Sequence, residues 1–246
     1  MKILSLNLHC FKEENRIAKL DRIIDFIKEN DIDLCMFQEA AQDVNEGYIN
    51  ESIREGNNTY YMSSKLNYNI YYHYIKHSFG HLEEGLAFVS KYPIKNPNFK
   101  IISKTKDVDH WYKRDCIVAT INDITFLNTH LGWDDFGENG MDQIKEMLEL
   151  VNQSGLTILA GDMNFADGSD EINYIKKHMY SCADLCSIDP KTNPTFHYDL
   201  DSKMKYGNNM IDFVFINKKI DEIKYEIVFN NEEDYVSDHS AIYVEI

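Results

Sequence analysis

Between Ile70 and Thr129 the chain strings together five short runs rich in β-branched, aromatic and aliphatic residues: Ile70–Ile75, Gly85–Ser90, Phe99–Ile102, Cys116–Ile121 and Ile124–Thr129. Each has the length of a strand, and no stretch of helical period separates them, so this part of the chain can only fold as sheet. The high aromatic share, 13% with 16 Tyr and 13 Phe, suits pleated and half-buried surfaces. Strand-like and helical segments alternate on either side. Ile3–Leu8 reads as a buried strand. Ile17, Leu20, Ile23, Ile24 and Ile27 fall at helical spacing and predict a helix over 15–29. Asp33–Gln38 predicts a strand ending in Glu39, and residues 45–68 are polar and read as helix and loop. Met141–Val151 and Asp170–Lys177 predict two more helices, with Leu156–Ala160 a strand entering Gly161 and Asp162. Ile211–Ile216, Tyr225–Phe229 and Ala241–Val244 close the chain as strands. Many short strands with few helices predict two sheets packed face to face with helices outside. With 4 Pro, 11 Gly, no repeat and no low-complexity linker, residues 1–246 read as one domain.

Charge and cysteine usage narrow the function classes. The formal net charge of −16 sets up a field that repels phosphate backbones and disfavours nonspecific nucleic-acid binding. A local basic cleft or a bound metal inverts that sign locally, so a nuclease is not excluded. The five cysteines, Cys10, Cys35, Cys116, Cys182 and Cys186, are odd in number and form no CxxC pair. That argues against a disulfide framework or a zinc site and for a reducing, cytoplasmic setting. The N-terminus enters a strand at once, without a signal-like segment, and no stretch approaches the ~18 apolar residues of a membrane span.

Polar residues recur where the strands end: Asn7, Glu39, Glu84, His130, Asp162, Asn164, Asp212, Asp238 and His239. Strand ends are where a rigid scaffold presents side chains to a cleft. Taken singly, each has an ordinary reading. Asn7 could satisfy a turn, Glu39 could be a solvated strand end, and His130 could be a hydrogen-bonded core histidine. Asp162–Asn164 could cap a helix, and Ser237–His239 could be a simple turn.

The combination says more. Asn7 in LSLNLH, Glu39 in FQEA, Glu84 in EEGLAFVSKYPI, His130 in NTHL, GDMN at 161–164, Asp212 in IDFVF and a final SDH at 237–239 occur in this order. Together they resemble the endonuclease/exonuclease/phosphatase superfamily, which includes pancreatic deoxyribonuclease, abasic-site endonucleases, neutral sphingomyelinases and inositol-polyphosphate phosphatases. The resemblance covers essentially the whole chain. It implies an α/β (α+β) fold, a four-layer αββα sandwich of two mainly antiparallel sheets flanked by helices. It implies metal-dependent hydrolysis of a phosphate ester, in which a hard divalent cation offsets the anionic charge and polarises the phosphoryl oxygen. Magnesium is the expected cofactor, with manganese as an alternative. By resemblance Glu39 is the principal metal ligand, Asn7 assists it, and Asp238 is placed to reach the metal. Asp162 would orient or deprotonate the attacking water, and Asn164 would donate to the phosphate or the nucleophile. Protonated His239 would bind phosphate with Asp212 as its charge partner, and Glu84 with His130 would form a second carboxylate–imidazole pair. Arg114 in KRDCIVATI resembles a family arginine that grips phosphate, a role suited to its forked donors; the competing reading is a surface ion pair with Asp115 or Asp109. The pattern departs at His9, where abasic-site endonucleases carry an acidic residue, so the deoxyribonuclease-like arrangement fits better.

The substrate is a finer question. MKILSLNLHCFKEEN, HSFGHLEEGLAFVSKYPI, VDHWYKRD and THLGWDD look like a small bacterial subgroup that includes sugar-phosphate phosphatases of the maltose-phosphate type. Trp111, Tyr112 and Trp133 flank Arg114 and His130, where exposed rings would stack on a sugar; core packing is the competing reading. Residues 193–210 form a polar loop placed to border the pocket. His81 stands near Glu84 and is a candidate substrate contact, while His73, His77 and His178 read as surface or structural. Three readings compete: a phosphomonoesterase for a small sugar phosphate, a nuclease acting on DNA or RNA, and a noncatalytic binding module. The filled catalytic positions weigh against the third. The acidic charge and the lack of a Lys/Arg-rich patch favour the first, with nucleic acid and membrane as less expected partners.

Overall fold

The computed structural model describes residues 1–197 and 209–246. Twelve strands form two six-stranded sheets. The first sheet runs β11 (Lys224–Val228), β12 (Ala241–Glu245), β1 (Lys2–Asn7), β2 (Leu34–Asp43), β4 (Leu82–Ser90), β3 (Asn69–Ser78). The second runs β5 (Lys95–Ile101), β6 (Asp115–Ile121), β7 (Ile124–His130), β8 (Thr157–Asp162), β10 (Asp212–Ile216), β9 (Tyr180–Ser181). Neighbours pair antiparallel except β1 with β2 and β7 with β8. Each parallel pair is joined by a crossover through a helix, α1 (Arg16–Glu29) in the first and α3 (Gly140–Leu148) in the second. Helices α2 (Asn58–Leu66), α4 (Asp170–Lys176) and α5 (Cys182–Leu185) complete the outer layers.

The period-2 pattern of the central strands explains the layering. In β1, β2 and β4, residues Ile3, Leu34, Met36, Leu86 and Phe88 face the other sheet, where they meet Ile117, Phe126 and Ile158. Their chain neighbours Leu4, Cys35, Phe37, Ala87 and Val89 face the opposite way and pack under Leu20, Ile23, Ile24 and Ile27 of α1 and Met62 of α2. Both faces are buried, so these strands read as continuous apolar runs. On the far side, Ile144 and Met147 of α3 and Ile172 and Ile175 of α4 cover the second sheet.

Two features differ from the sequence expectation, and one, the helix within 45–68, agrees with it. Strand β2 does not end at Glu39 but continues to Asp43 past a bulge, where the register with β4 shifts between Phe37 and Ala40. The polar stretch 45–68 holds α2, which Asn57 caps by accepting from the Thr59 and Tyr60 amides. The short β9 and α5 carry no periodic signal and were not anticipated. The loop reading of 193–210 falls partly outside the described residues. Among the described residues, no helix is long and apolar enough to cross a membrane.

Two glycines are required by close backbone approach. A Cβ on Gly161 would lie 1.9 Å from the Thr129 carbonyl oxygen, and its φ of +151° is one that side chains rarely adopt. A Cβ on Gly85 would lie 2.1 Å from the His73 carbonyl oxygen. Between the sheets a polar clamp sits in the apolar core. Gln38 donates to Asn128 Oδ1 at 2.7 Å, and the Asn128 amide donates to the carbonyls of Phe37 at 2.9 Å and Ala87 at 3.1 Å. Phe37 and Ala87 are the paired residues at which the β2 bulge begins. Asn128→Ala leaves these groups unmet in a dry interior, where each costs about 1–3 kcal/mol. The urea midpoint of this variant should therefore fall with the denaturant slope unchanged; a wild-type midpoint would remove the clamp from the account of stability.

Candidate active site

The strand directions bring the polar residues to one edge of the sandwich. Strands β1, β2, β7 and β8 point their C-terminal halves at it and deliver Asn7, Glu39, His130 and Asp162. The antiparallel strands β4, β6, β10 and β12 begin there and deliver Glu84, Arg114, Asp212 and His239 at or near their N-terminal ends. Asp162 lies opposite His130 in the β7–β8 register and opposite Asp212 in the β10–β8 register. Glu39 owes its position to the bulge. Its backbone sits at φ 47°, a left-handed conformation in mid-strand that turns the side chain out of alternation. Asn164 follows Asp162 at φ 54°, and its amide N–H donates to Asp162 Oδ1 at 2.8 Å.

The side chains converge on the carboxylate of Asp162. Asn7 Nδ2 donates to Asp162 Oδ2 at 3.1 Å and to Glu39 Oε1 at 3.0 Å. His130 Nε2 stands 3.5 Å and His239 Nε2 3.7 Å from Asp162 Oδ2. His239 Nδ1 pairs with Asp212 Oδ2 at 2.8 Å. The Asn164 side-chain amide donates to the Leu131 carbonyl at 2.8 Å. His130 Nδ1 is 3.9 Å from Glu84 Oε1, longer than a hydrogen bond. Asp238 lies at the rim, 3.5 Å from His9 Nδ1. Asn7, Leu131 and Asp212 apart, these groups border a cleft of about 770 Å³, measured out to its open mouth. Arg114, Trp111, Trp133, Phe79 and Phe196 also line it.

The two imidazoles are driven apart. Burial strips solvation from His130, and the nearby Arg114 and Lys76 charges add to this, so its pKa falls well below the ordinary 6.5. Burial also opposes a charge on His239, but Asp212 and Asp162 outweigh it and hold the pKa well above 6.5. Burial pushes Asp162 up to about 7, against the pull of charged His239 and with a further push from Asp212. Glu39 is raised by burial and by the neighbouring carboxylates of Glu84 and Asp238, which the Asn7 amide only partly offsets.

That accumulation of half-neutralised carboxylates is the donor chemistry a hard divalent cation satisfies. Among the described residues, three groups bring potential ligand atoms within 4.8 Å of one another: His9 with Glu13 and Asp238, Cys10 with Glu39 and Glu84, and Asp162 with Asp212 and His239. The first is already knit together, since Glu13 bonds His9 at 2.8 Å and also pairs with Lys19. In the third, His239 and Asp212 engage each other. The residues around Glu39 therefore fit the cation best.

The structure separates the remaining candidates. Tyr112 does not line the cleft; its hydroxyl donates to Asp135 at 3.2 Å and its ring packs on Phe136. Its neighbour Trp111 takes the place at the rim. Arg114 is not a surface ion pair. It is 2% exposed, and Asp109 and Asp115 are held instead by His77 and by His73 with Lys113. His81 is exposed, pairs with the Phe79 carbonyl and is not among the residues that line the cleft. Sequence reasoning missed Lys76, which lines the cleft from β3. A second bulge, between Tyr74 and Lys76, breaks the alternation that would have placed it in solvent.

Two packed mixed sheets that pool carboxylates, imidazoles and amides at one edge define the class of metal-dependent phosphoester hydrolases. The chain belongs to the Endonuclease/Exonuclease/phosphatase family, whose family model matches residues 4–239. It is similar to an endonuclease/exonuclease/phosphatase family protein from Leptotrichia buccalis, 26% identical over 100% of this chain and 99% of that one, with a TM-score of 0.87. An AP endonuclease from Archaeoglobus fulgidus is 17% identical over 100% and 99% of the two chains, TM-score 0.65. TDP2 from D. rerio, solved with a single-strand DNA product, is 14% identical over 100% and 99%, TM-score 0.68. At those identities the last two speak to the fold alone. No curated protein sequence matches the chain. The comparisons reach the family and not the maltose-phosphate subgroup.

Linkage turns the raised pKa values into a stability profile. A raised pKa in the folded state gives stability at low pH that is lost on the way up. For Asp162 the loss runs from its ordinary 3.8 to about 7, and for His239 it begins near 6.5 and runs through its raised value. In chelator, the urea midpoint should therefore decline with rising pH more steeply in the wild type than in Asp162→Asn. Parallel profiles for the two proteins would contradict the assigned shift.

Proposed function

We propose that the protein hydrolyses a phosphate ester by attack of water at phosphorus, with Asp162 as the group that orients and deprotonates the water. The observation that carries this reading is the placement of Asp162 between neutral His130, charged His239 and the Asn7 amide, buried yet facing the cleft. A raised pKa suits a base that must take a proton near neutrality. The His239 imidazolium, held by Asp212, offers a charged donor to a phosphoryl oxygen, and Arg114 offers a second. Asn164 offers an uncharged amide beside the base. Glu39, with Asn7 and with Asp238 at the rim, would hold a magnesium or manganese ion, which supplies Lewis-acid polarisation of the phosphoryl oxygen. Glu84 stands behind His130 as its carboxylate partner. A cytoplasmic setting belongs to the same proposal and is supported by five unpaired cysteines.

For the substrate, the comparisons favour a phosphodiester in nucleic acid. The similar solved structures include an AP endonuclease and a TDP2 bound to single-strand DNA product. A second reading, a small phosphomonoester such as a sugar phosphate, is supported by the cleft itself. Trp111, Trp133, Phe79 and Phe196 line it and offer apolar faces to a ring. Among the described residues, the Lys and Arg that line it are buried on its floor, whereas a backbone-tracking groove carries exposed cations.

Chelator should abolish activity and magnesium or manganese restore it, with Glu39→Gln blunting the response. Asp162→Asn should cost at least ~100-fold in kcat, the usual worth of a positioned base. Undiminished turnover in excess chelator, or in folded Asp162→Asn, would refute the mechanism. The substrate readings part on kcat/KM for plasmid and single-strand DNA against phosphate release from hexose and disaccharide phosphates at fixed magnesium and salt. Under the second reading, Trp133→Ala should raise KM for a sugar phosphate more than for an aryl phosphate. Efficient nicking without phosphate release from any sugar phosphate would leave the nucleic-acid reading alone.

A further inference from the structure

Lys76 places its ammonium in the interior, 1% exposed, on the floor of the cleft. Its Nζ donates to the Trp111 carbonyl oxygen at 2.9 Å. Arg114 Nη1 donates to the same oxygen at 2.8 Å and to the Lys113 carbonyl at 2.9 Å. One backbone carbonyl therefore holds an ammonium and a guanidinium side by side. Like charges so close repel, and among the described residues the two share one ion-pair partner, Glu84, which takes Lys76. Glu84 Oε1 lies 3.4 Å from Nζ, and among the described residues Arg114 makes no ion pair. The Arg114 Nε is buried and has no hydrogen-bond partner. The Trp111 ring covers the ammonium with its centroid 4.2 Å from Nζ and stands edge-on to Phe79 at the rim. Buried cations are retained when something pairs with them. Here the space beside both is the cleft, and across it stand Asp162 and His239.

We propose that Lys76 and Arg114, joined through the Trp111 carbonyl, form a receptor for a phosphoryl group carrying two negative charges, the terminal group of a phosphomonoester or the phosphate released from it. The proposal rests on reading this cleft as the phosphoester site. A monoester has a second pKa of about 6 and is largely doubly charged at neutral pH, whereas a diester carries one charge. A pair of adjacent cations rewards the second charge. Arg114 alone would serve either ester. Lys76 is thus the residue that distinguishes them, and it does so by binding, without a part in proton transfer.

The test reads binding and not turnover. Inorganic phosphate and dimethyl phosphate are titrated by calorimetry into the wild type and Lys76→Met, both in magnesium at fixed pH. The wild type should bind phosphate at least tenfold more tightly than dimethyl phosphate. Lys76→Met should lose roughly tenfold in phosphate affinity, the size of one charge-assisted hydrogen bond, with little change for dimethyl phosphate. Lys76→Arg should recover part of the loss. Equal binding of the two ligands by the wild type, or unchanged phosphate affinity in Lys76→Met, would overturn the proposal. Should Lys76→Met fail to fold, the wild-type preference and Lys76→Arg decide alone. Phosphate binding as expected with no ester hydrolysed would instead sink the hydrolase reading and leave this one standing.

Discussion

The cleft depends on a contact that is not in it. Asn128, in the middle strands of the second sheet, reaches across the sandwich and bonds the carbonyls of Phe37 and Ala87 in the first. A bulge in β2 disturbs the ladder at that point, and a disturbed ladder in a dry interior would leave carbonyls unmet. Asn128 meets them, and Gln38 closes the circuit by donating to Asn128. With the bulge thus stabilised, the next residue, Glu39, leaves the alternation of the strand and faces the edge where the parallel pairs end. The clamp also fixes one sheet against the other. This matters because Asn7 and Glu39 belong to the first sheet and Asp162 to the second, while a single Asn7 amide must reach both carboxylates.

The electrostatics of the floor follow from that convergence. Four carboxylates, Glu39, Glu84, Asp162 and Asp212, meet Lys76, Arg114 and two imidazoles where little water enters. Charges so placed interact strongly, and the order in which they keep their protons is set by their nearest partners. His239 touches Asp212 and stays charged; His130 faces two cations and stays neutral. The same residue type thereby takes opposite states a few ångströms apart, leaving Asp162 beside one charged and one uncharged imidazole. The overall charge of −16 works against anionic ligands at long range. The floor cations act only at contact, so a phosphoryl group gains most once it has entered.

How much of this was legible follows from the kind of signal each part leaves. The central strands were readable because burial on both faces makes them unbroken apolar runs, and α1 because its buried face repeats at helical period. The strand-end polar residues Asn7, His130, Asp162 and His239 were readable because they stand where those runs stop. What stayed hidden lies where periodicity breaks. Glu39 looked like a strand terminus because a bulge leaves no mark in a single sequence. Lys76 drew no reading, because the bulge that reverses the face it takes leaves no mark either. Asn128 and Gln38 sit inside apolar runs, where a polar residue reads as an interruption until its partner on the other sheet is seen. Tyr112 and Trp111 are adjacent in a loop between β5 and β6, and nothing in their spacing says which ring turns inward.

The division between floor and rim also explains why the chemistry was easier to read than the substrate. The floor residues ride on strands of the core, so their spacing in sequence is fixed by the sandwich, and the motif survives as an ordered series. The rim is built differently. Phe79 comes from the β3–β4 turn, Trp111 from the β5–β6 connection, Trp133 from the segment after β7 and Phe196 from the loop before β10. Loops are positioned by the scaffold but not constrained by its periodicity, so they carry specificity without a readable pattern. Phe196 is tied directly to the floor: it pairs with His239 across an isolated bridge and lays its ring 5.1 Å from that imidazole. The wall of the pocket is thereby attached to the imidazole that the proposed mechanism directs at a phosphoryl oxygen, so a ligand that displaced the ring would also disturb His239. Under that mechanism, recognition of the leaving group and stabilisation of the phosphoryl charge would be coupled through this contact.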